Sequence, residues 1–395
     1  MAIRCTGPLK GDTMEYSLPE QFEQFGEARR AGFLRVKKLK EEERRVAGTF
    51  CTFTPLEILD AAGFTAVSLC GMSQETVAAA EVDLPANLCP LIKSSYGFAV
   101  SDKCPYTYFS DLIVGETTCD GKKKMYELLS ELKPVYVLHL PQGREEYALS
   151  MWTSELHRFI DFLEQRFHVT ITDEALRAAA RQRNAERQAR MELMAVQKRL
   201  PPPAFGQQLY KALDGAGFVF DAETRIQQLD ELRQSLLSAY ERGERPVSPS
   251  AKRIMVTGCP IGGVLDKIVG AVERLGGAVV CYENCAGIKA SRRMVDVDAP
   301  DIVRAIAERY LDIGCAVMTP DDIRMELLRQ LTDEYAVDGI IEVDLQACTP
   351  YAIEARRVGR LAQTLEKPFL RLETDYSTGD GGQIATRLEA FFETL

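Results

Sequence analysis

The sequence has no long hydrophobic run and very little histidine. No stretch is apolar over the roughly 18 residues that a membrane span needs, and the N-terminus lacks the charged-then-apolar pattern of an export signal, so we expect a cytoplasmic protein. The three histidines, His139, His157 and His168, are too few to favour a Ser-His-Asp hydrolase or a zinc hydrolase. A formal net charge of −10 argues against nucleic acid as a partner.

Several common motifs are also absent. Neither GxGxxG nor GxxxxGK[ST] follows any predicted strand, which leaves a nucleotide site on this chain without a sequence signature. No Cys-x-x-Cys pair occurs, and this argues against a zinc ribbon, a thioredoxin-like site and a bacterial ferredoxin cluster. If the cysteines bind a metal, they must come from separate elements of the fold.

The sequence does contain two series of short apolar strands that alternate with helical segments. The strands are predicted at FTAVSLC (64–70), DLIVG (111–115), PVYVLHL (134–140), RIMVTG (253–258), GAVVCYE (277–283), GCAVM (314–318), VDGIIEVDL (337–345) and KPFLRLE (367–373). They predict an α/β protein with two similar halves. We expect an N-terminal helical segment at 1–48, a first α/β domain at 49–153, a helical connecting segment at 154–250 and a second α/β domain at 251–395.

Two helix starts are predicted from local chemistry. Thr54, Pro55 and Glu57 have the order of a helix cap, a first-turn proline and a capping-box glutamate, and Gly63 is placed to end that helix. Thr319 and its following proline repeat the cap-then-proline order in the second half.

Eleven cysteines are unusual for a cytoplasmic chain, in which disulfides do not persist. Cys119, Cys259, Cys285 and Cys348 each follow the carboxyl end of a predicted strand, the edge at which open α/β sheets bind ligands. Soft thiolates without histidine indicate an iron–sulfur site. Lys122, Lys123 and Lys124 come just after Cys119, and they indicate either a nearby anionic group or an ordinary solvated helix face.

A family resemblance rests on sequence blocks that cover the chain from about Thr49 to its end. The blocks are GTFCTFTPLEILDAAG (48–63), NLCP (87–90), SDKCPYTYFSDLIVGETTCDGKKKMYELL (101–129), VTGCPIGG (256–263), ENCAGIK (283–289), GCAVMTPDDIR (314–324), VDGIIEVDLQAC (337–348) and GQIATRLEAF (382–391). Together they resemble the 2-hydroxyacyl-CoA dehydratase family, specifically its double-cubane-cluster-containing anaerobic reductases. The resemblance implies two flavodoxin-like or Rossmann-like domains with parallel sheets and a cluster held between them.

The resemblance also implies a set of ligands. It matches three thiolates of a 4Fe–4S cubane to Cys89, Cys119 and Cys348, and a double-cubane 8Fe–9S cluster needs three more, for which we nominate Cys104, Cys285 and Cys315. Cys259 and Cys51 are the named substitutes. The remaining cysteines, Cys5, Cys70 and Cys281, are expected to be structural.

The function implied is a reductase that receives electrons from a separate ATP-hydrolysing iron–sulfur activator and reduces a small-molecule substrate. Glu116 and Lys289 are the candidate catalytic, proton-handling residues. A homodimer is implied, with no nucleic acid and no membrane as partners. Two alternatives stay open: a dehydratase subunit with a single 4Fe–4S cluster, and a non-catalytic iron–sulfur electron-transfer protein.

Overall fold

The fold contains two four-stranded parallel sheets. A computed structural model describes residues 19–395, so Cys5 lies outside the described residues. The strands are β1 (Arg45–Thr49), β2 (Phe64–Ser68), β3 (Leu112–Glu116), β4 (Val135–Leu138), β5 (Lys252–Gly258), β6 (Gly277–Glu283), β7 (Gly339–Leu345) and β8 (Phe369–Thr374). The sheet orders are β2-β1-β3-β4 and β6-β5-β7-β8, so both halves have the same topology. This confirms the predicted α/β class with two Rossmann-like domains.

Helices surround both sheets and connect them. Their bounds are α1 (Gln21–Glu41), α2 (Leu56–Ala61), α3 (Val77–Ala80), α4 (Pro90–Val100), α5 (Pro105–Phe109), α6 (Asp120–Leu129), α7 (Glu146–Phe167), α8 (Asp173–Ala195), α9 (Gly206–Ala216), α10 (Ala222–Glu241), α11 (Ala271–Arg274), α12 (Ile288–Ser291), α13 (Ile302–Leu311), α14 (Asp322–Glu334), α15 (Thr349–Thr364) and α16 (Gly381–Phe392). None of the helices between residues 19 and 395 combines the length and apolar character that crossing a membrane requires.

The central strands are buried on both faces, as expected for parallel sheets covered by helices. Every residue of β3, β6 and β7 is buried. Two hydrophobic cores result: the larger contains residues of both halves, and the smaller lies between the second sheet and the helices from α8 to α10, with α14 and α15.

The structure corrects two predicted strand and helix assignments. The N-terminal helix ends at Glu41, and β1 follows within the segment that was assigned to it. Residues 314–318 form an irregular segment with a turn at 316–317 in place of the predicted strand. This segment is apolar because it packs inside the protein, with Met318 buried and Gly314 close against the backbone of Arg324.

Neither predicted helix cap is observed, although α2 begins at Leu56, next to the predicted first-turn proline. Thr54 does not cap α2, because its hydroxyl donates to the carboxylate of Glu116, and Glu57 is drawn into an ion pair with Arg187. The helix after Thr319 starts later, at Asp322, and the Asp321 side chain caps it by accepting from Arg324 N. The end of α2 is as predicted, since Gly63 has φ +77°.

The domain boundaries stay predictions. The proposed boundary between residues 48 and 49 falls inside β1, and α7 begins before residue 154. The connecting helix α8 contacts α2 of the first half and both α12 and α13 of the second half. The two halves are therefore held together by an element that lies between them in sequence.

Candidate functional site

A cavity of about 1340 Å³ lies between the two halves, at the carboxyl ends of both sheets. The segments that follow β1, β2 and β3 line one side, and those that follow β5, β6 and β7 line the other. The carboxyl edge of an open parallel sheet is where ligands bind, because the connecting loops diverge there. Here two such edges contribute to one cavity.

Eight cysteines line this cavity, four from each half. They are Cys51, Cys70, Cys89, Cys119, Cys259, Cys285, Cys315 and Cys348. Six of them follow a strand by one to three residues, and the two exceptions are Cys89 and Cys315. All eight are free thiols.

Four of these thiols, which we call the Cys348 set, comprise Cys89, Cys119, Cys259 and Cys348. Contact with Cys348, together with burial, raises the pKa of Cys89 well above its ordinary value, and contact with Cys259 raises the pKa of Cys348. Cys89, Cys119 and Cys348 precede the first residues of α4, α6 and α15. The positive ends of these helices favour thiolates, so a bound cation could deprotonate the set.

The other four thiols, which we call the Cys285 set, comprise Cys51, Cys70, Cys285 and Cys315. Burial raises the pKa of Cys285, Cys315 and Cys70 raise it further, and the Lys289 ammonium opposes them. Burial also raises the pKa of Cys51, to which Cys285 and Cys315 contribute. The Cys285 set thus brings together thiols from both halves.

The predicted ligands do not all lie at the cavity. Cys89, Cys119, Cys285, Cys315 and Cys348 line it, whereas Cys104 does not. The Cys104 sulfur accepts from Thr107 N at 3.4 Å and caps α5. Cys281 is buried in the smaller core, away from the cavity-lining residues.

Cys51 was predicted only as a substitute ligand and Cys70 as a structural cysteine, yet both line the cavity. Cys51 follows β1, a strand that was not predicted, and Cys70 was placed within the strand it actually follows. The signal that selected Cys119 and Cys259 applies equally to both. Correct strand ends would have identified them.

Glu116 and Lys122 lie next to Cys51 of the Cys285 set, on the side formed by the first half. Glu116 is fully buried and accepts from the Thr54 hydroxyl, while its Oε2 atom has no hydrogen-bond partner in the described residues. Burial raises the pKa of Glu116 to about 7, against the attraction of Lys122. Burial lowers the pKa of Lys122, but Tyr126, Cys51 and Glu116 hold it well above its ordinary value. Lys122 lines the cavity, whereas Glu116 does not.

The other two lysines of the first turn of α6 face solvent. Lys123 pairs with Asp120 at 2.7 Å, and Lys124 pairs with Glu127. Only Lys122 therefore fits the prediction of a nearby anionic group.

Lys289 is the buried lysine beside the Cys285 set on the second half. Its buried Nζ atom donates to Tyr351 Oη at 2.6 Å and lies 3.6 Å from Glu283 Oε1. Tyr351 Oη in turn lies 3.7 Å from Cys315 Sγ. Lys289 does not line the cavity but reaches it through Tyr351, which does.

Arg324 anchors a buried charge network next to Lys289. Its guanidinium contacts Glu283 at 3.2 Å, Glu342 at 3.2 Å and Glu354 at 2.5 Å, and it donates to Thr257 Oγ1 at 2.8 Å. Because Arg324 and Lys289 are two cations facing three glutamates, the negative charge is not fully neutralised, and burial raises the pKa of Glu342 to about 7. Sequence reasoning missed Arg324, since nothing in its local pattern marks it as buried.

Ion pairs made by α8 close the cavity on another side. Arg187 contacts Glu57 at 2.5 Å, and Glu57 also accepts from Tyr310 Oη of the second half at 2.8 Å. Arg183 makes two contacts with Asp60, at 2.5 and 2.7 Å. These groups link the two halves at the cavity wall.

The donor set suits a soft metal cluster, since the cavity has eight thiols and no histidine among its lining residues. Within residues 19–395, no three or more Cys, His, Asp or Glu side chains are grouped closely enough to hold one metal ion. The eight thiols instead line the wall of the cavity. The half-buried Lys122 and the buried Lys289 supply positive charge next to them.

Comparison with known proteins identifies the class. Residues 51–395 match the family model described as 2-hydroxyglutaryl-CoA dehydratase, D-component. The chain is 48% identical over 380 residues to YjiM of Escherichia coli (strain K12), described as a candidate dehydratase subunit, with 96% of this chain and 98% of that protein covered.

More distant relatives are dehydratase beta subunits. The (R)-phenyllactyl-CoA dehydratase beta subunit of Clostridium sporogenes is 21% identical, covering 91% of this chain and 94% of that one. The (R)-2-hydroxyglutaryl-CoA dehydratase subunit beta of Acidaminococcus fermentans is 22% identical, covering 91% and 95%. This chain belongs to the 2-hydroxyacyl-CoA dehydratase family.

Proposed function

We propose that this chain is a low-potential reductase that reduces small molecules at a double-cubane 8Fe–9S cluster. The observation that carries the proposal is the number of thiols at one cavity. A single 4Fe–4S cubane uses at most four thiolates, and eight line the cavity here. They also form two sets, each with members from both halves of the chain.

The proposed ligands differ from the nominated six at one position. Cys89, Cys119 and Cys348 would hold one cubane, and Cys285 and Cys315 would contribute to the other. Cys51 takes the place of Cys104, because Cys51 neighbours Cys285 and Cys315 whereas Cys104 lies outside the cavity lining.

The cluster, when bound, would supply low-potential electrons. The residues behind it would hold charge and protons. Lys122 and Lys289 would offset the negative charge of the thiolates, Glu116 could carry a proton near neutral pH, and Tyr351 could pass a hydrogen bond from Lys289 to the cavity. Hence Glu116 and Lys289 would act as positioning and proton-handling groups behind the cavity wall.

The electrons would come from a separate ATP-hydrolysing iron–sulfur activator, which suits a chain without a nucleotide-binding motif. A homodimer is part of the same proposal. Light scattering on anaerobically purified protein would test the dimer, and substrate-dependent ATP hydrolysis in a mixture of the two proteins would test the activator.

Iron and acid-labile sulfide per chain, measured after anaerobic purification, test the cluster. We expect about eight iron atoms per chain by the double-cubane stoichiometry. The variant Cys51→Ala should lose iron, whereas Cys104→Ala and the core variant Cys281→Ala should keep the wild-type content. Loss of iron in Cys104→Ala alone would return Cys104 to the ligand set.

A second candidate is a dehydratase subunit with one 4Fe–4S cluster. The names of the relatives favour it, since they are dehydratase beta subunits. About four iron atoms per chain and a copurifying unlike subunit would support this alternative and refute the double cubane. A protein that binds eight irons but turns over no substrate with the activator would be the electron-transfer protein.

A further inference from the structure

The cavity is rich in positive charge although the chain is acidic. Its lining contains eight basic residues, Lys122, Arg183, Arg187, Arg190, Arg309, Arg356, Arg357 and Arg360, and five acidic residues, Asp120, Glu186, Asp214, Asp321 and Glu354. The whole chain has a formal net charge of −10. The excess of basic residues at the cavity is therefore opposite in sign to the net charge of the whole chain.

Most acidic side chains of the cavity lining form ion pairs with basic residues that lie outside the lining. Their partners are Lys123 for Asp120 at 2.7 Å, Arg225 for Glu186 at 2.6 Å, Arg324 for Glu354 at 2.5 Å and Arg144 for Asp321 at 3.6 Å. These partners do not line the cavity. Acids outside the lining in turn pair with cavity cations, Asp60 with Arg183, Glu57 with Arg187 and Asp322 with Arg357, and Glu186 also pairs with Arg183 and Arg190. The lining arginines without an ion pair among residues 19–395 are therefore Arg309, Arg356 and Arg360.

Two arginines on α15 have no partner in the described part of the chain. Arg356 and Arg360 are exposed at the cavity, and their side chains make no ion pair or hydrogen bond with residues 19–395. Between them, Arg357 pairs with Asp322 at 2.5 Å. Like charges four residues apart on a helix repel each other, so an anion between Arg356 and Arg360 would be stabilising.

A buried arginine on α13 also lines the cavity. Arg309 is 5% exposed, donates to the carbonyl oxygens of Ala290 and Arg293, and leaves its Nη1 atom without a hydrogen-bond partner in the described residues. Burial and Arg187 lower the pKa of Arg309 to about 10, and no cysteine contributes to this shift. The thiols act instead on Lys122 and Lys289. Arg309 is thus a cation of the cavity that is separate from the groups beside the thiols.

We propose that the cavity selects anionic ligands, and that Arg356 and Arg360 form the recognition site for a carboxylate or phosphate group of the entering molecule. As a statement about the substrate, this rests on the proposed function. The charge selectivity itself does not, because it can be measured on the cavity thiols of the iron-free chain.

The test compares two alkylating reagents of similar size, anionic iodoacetate and neutral iodoacetamide, on the reduced, iron-free full chain. Mass spectrometry gives the rate at each cysteine, and the rate ratio of the two reagents at Cys51 and Cys348 is referred to the ratio at Cys104. Changes in thiol ionisation affect both reagents alike and cancel. The test variant is Arg356→Gln/Arg360→Gln, and Arg44→Gln, an exposed arginine outside the cavity lining, is the matched control.

We expect the double variant to lower the iodoacetate preference by about 1.5-fold, because a rise of about 1.5 Å per residue puts Arg356 and Arg360 about 12 and 18 Å along α15 from Cys348, where charges are partly screened. Raising the salt to ~1 M should abolish the difference. Arg44→Gln should leave the ratio unchanged. An unchanged rate ratio in the double variant overturns the proposal. Arg356 and Arg360 would then be assigned to contact with an acidic protein partner.

Inorganic phosphate and acetate, added at constant ionic strength, distinguish the two kinds of anionic group. If one of the two anions slows the iodoacetate reaction more than the other does, the chemical group of that anion is supported as the one recognised. If neither slows the reaction more than chloride does, the recognition site is refuted. Iron content is measured separately. Selectivity without iron would refute the proposed function alone, and iron without selectivity would refute this inference alone.

Discussion

Replacing the buried Glu116 with glutamine should stabilise the ligand-free chain at alkaline pH. The pKa of Glu116 rises from 4.5 in the unfolded chain to about 7 in the fold, chiefly through burial. The folded state therefore binds a proton more tightly than the unfolded state, so Glu116 costs stability progressively as pH rises from about 4.5 to about 7. At pH 8 the cost is on the order of 3 kcal/mol, and at pH 5 it is about 1 kcal/mol.

Glutamine removes this cost and can still accept from the Thr54 hydroxyl. With an unfolding entropy of about 2.1 cal/mol/K per residue, ~3 kcal/mol shifts the Tm of a chain of this length by about 4 °C. We expect Glu116→Gln to raise Tm by about 4 °C at pH 8 and by about 1 °C at pH 5. Differential scanning calorimetry of the ligand-free protein at both pH values measures this.

The matched control is Glu127→Gln, which removes an exposed carboxylate on α6 whose ion-pair partner among residues 19–395 is Lys124. Exposed pairs contribute about 0–1 kcal/mol, so its Tm should change by no more than about 1 °C at either pH. A Tm that falls equally at pH 5 and pH 8 in Glu116→Gln would contradict a cost of ionisation, since the loss would then come from packing or hydrogen bonding.

Three further variants test the second half. Arg324→Met should destabilise the chain by about 3–5 kcal/mol, because the buried Glu342 and Glu354 lose their cation. The exposed Arg329→Met on the same helix should change stability by about 0.5 kcal/mol or less, and thermal melts compare the two. Tyr351→Phe should cost about 1–3 kcal/mol in urea unfolding, because the buried Lys289 loses its hydrogen-bond acceptor, and an unchanged midpoint would contradict the 2.6 Å contact. Cys281→Ala should lower Tm slightly, and any loss of iron in it would contradict a purely structural role for that thiol.

The alternation of strands was predictable because buried parallel strands are apolar throughout. β6 was predicted at its observed bounds. β1 was missed because Arg45 begins it directly after a highly charged helix, so the short apolar segment was absorbed into that helix. The irregular segment at 314–318 was assigned to a strand for the converse reason. It is apolar because it is buried, and burial alone does not determine backbone conformation.

The site was predictable where it depends on strand ends, and less so where it depends on long-range contacts. Cys119, Cys259, Cys285 and Cys348 were expected at one edge, and all four line the cavity. The capping of α2 failed because Thr54 bonds to Glu116, 62 residues away, and local sequence carries no information on such a partner. Cys104 is a different case, because its sulfur caps α5 through Thr107 N, a contact only three residues away.

The contacts of α8 determine how molecules exchange with the interior. Separating the halves like a hinge would expose the buried carboxylate of Glu57 and break its bonds to Arg187 and Tyr310, and removing one partner of such a buried pair costs about 3–5 kcal/mol. Exchange past Ile353, a cavity-lining side chain that is 71% exposed, would disrupt none of these bonds. The entry and exit of ligands should therefore depend on side-chain rotations at the cavity entrance. The width of that entrance, more than the cavity volume, should limit the size of the molecules that can enter.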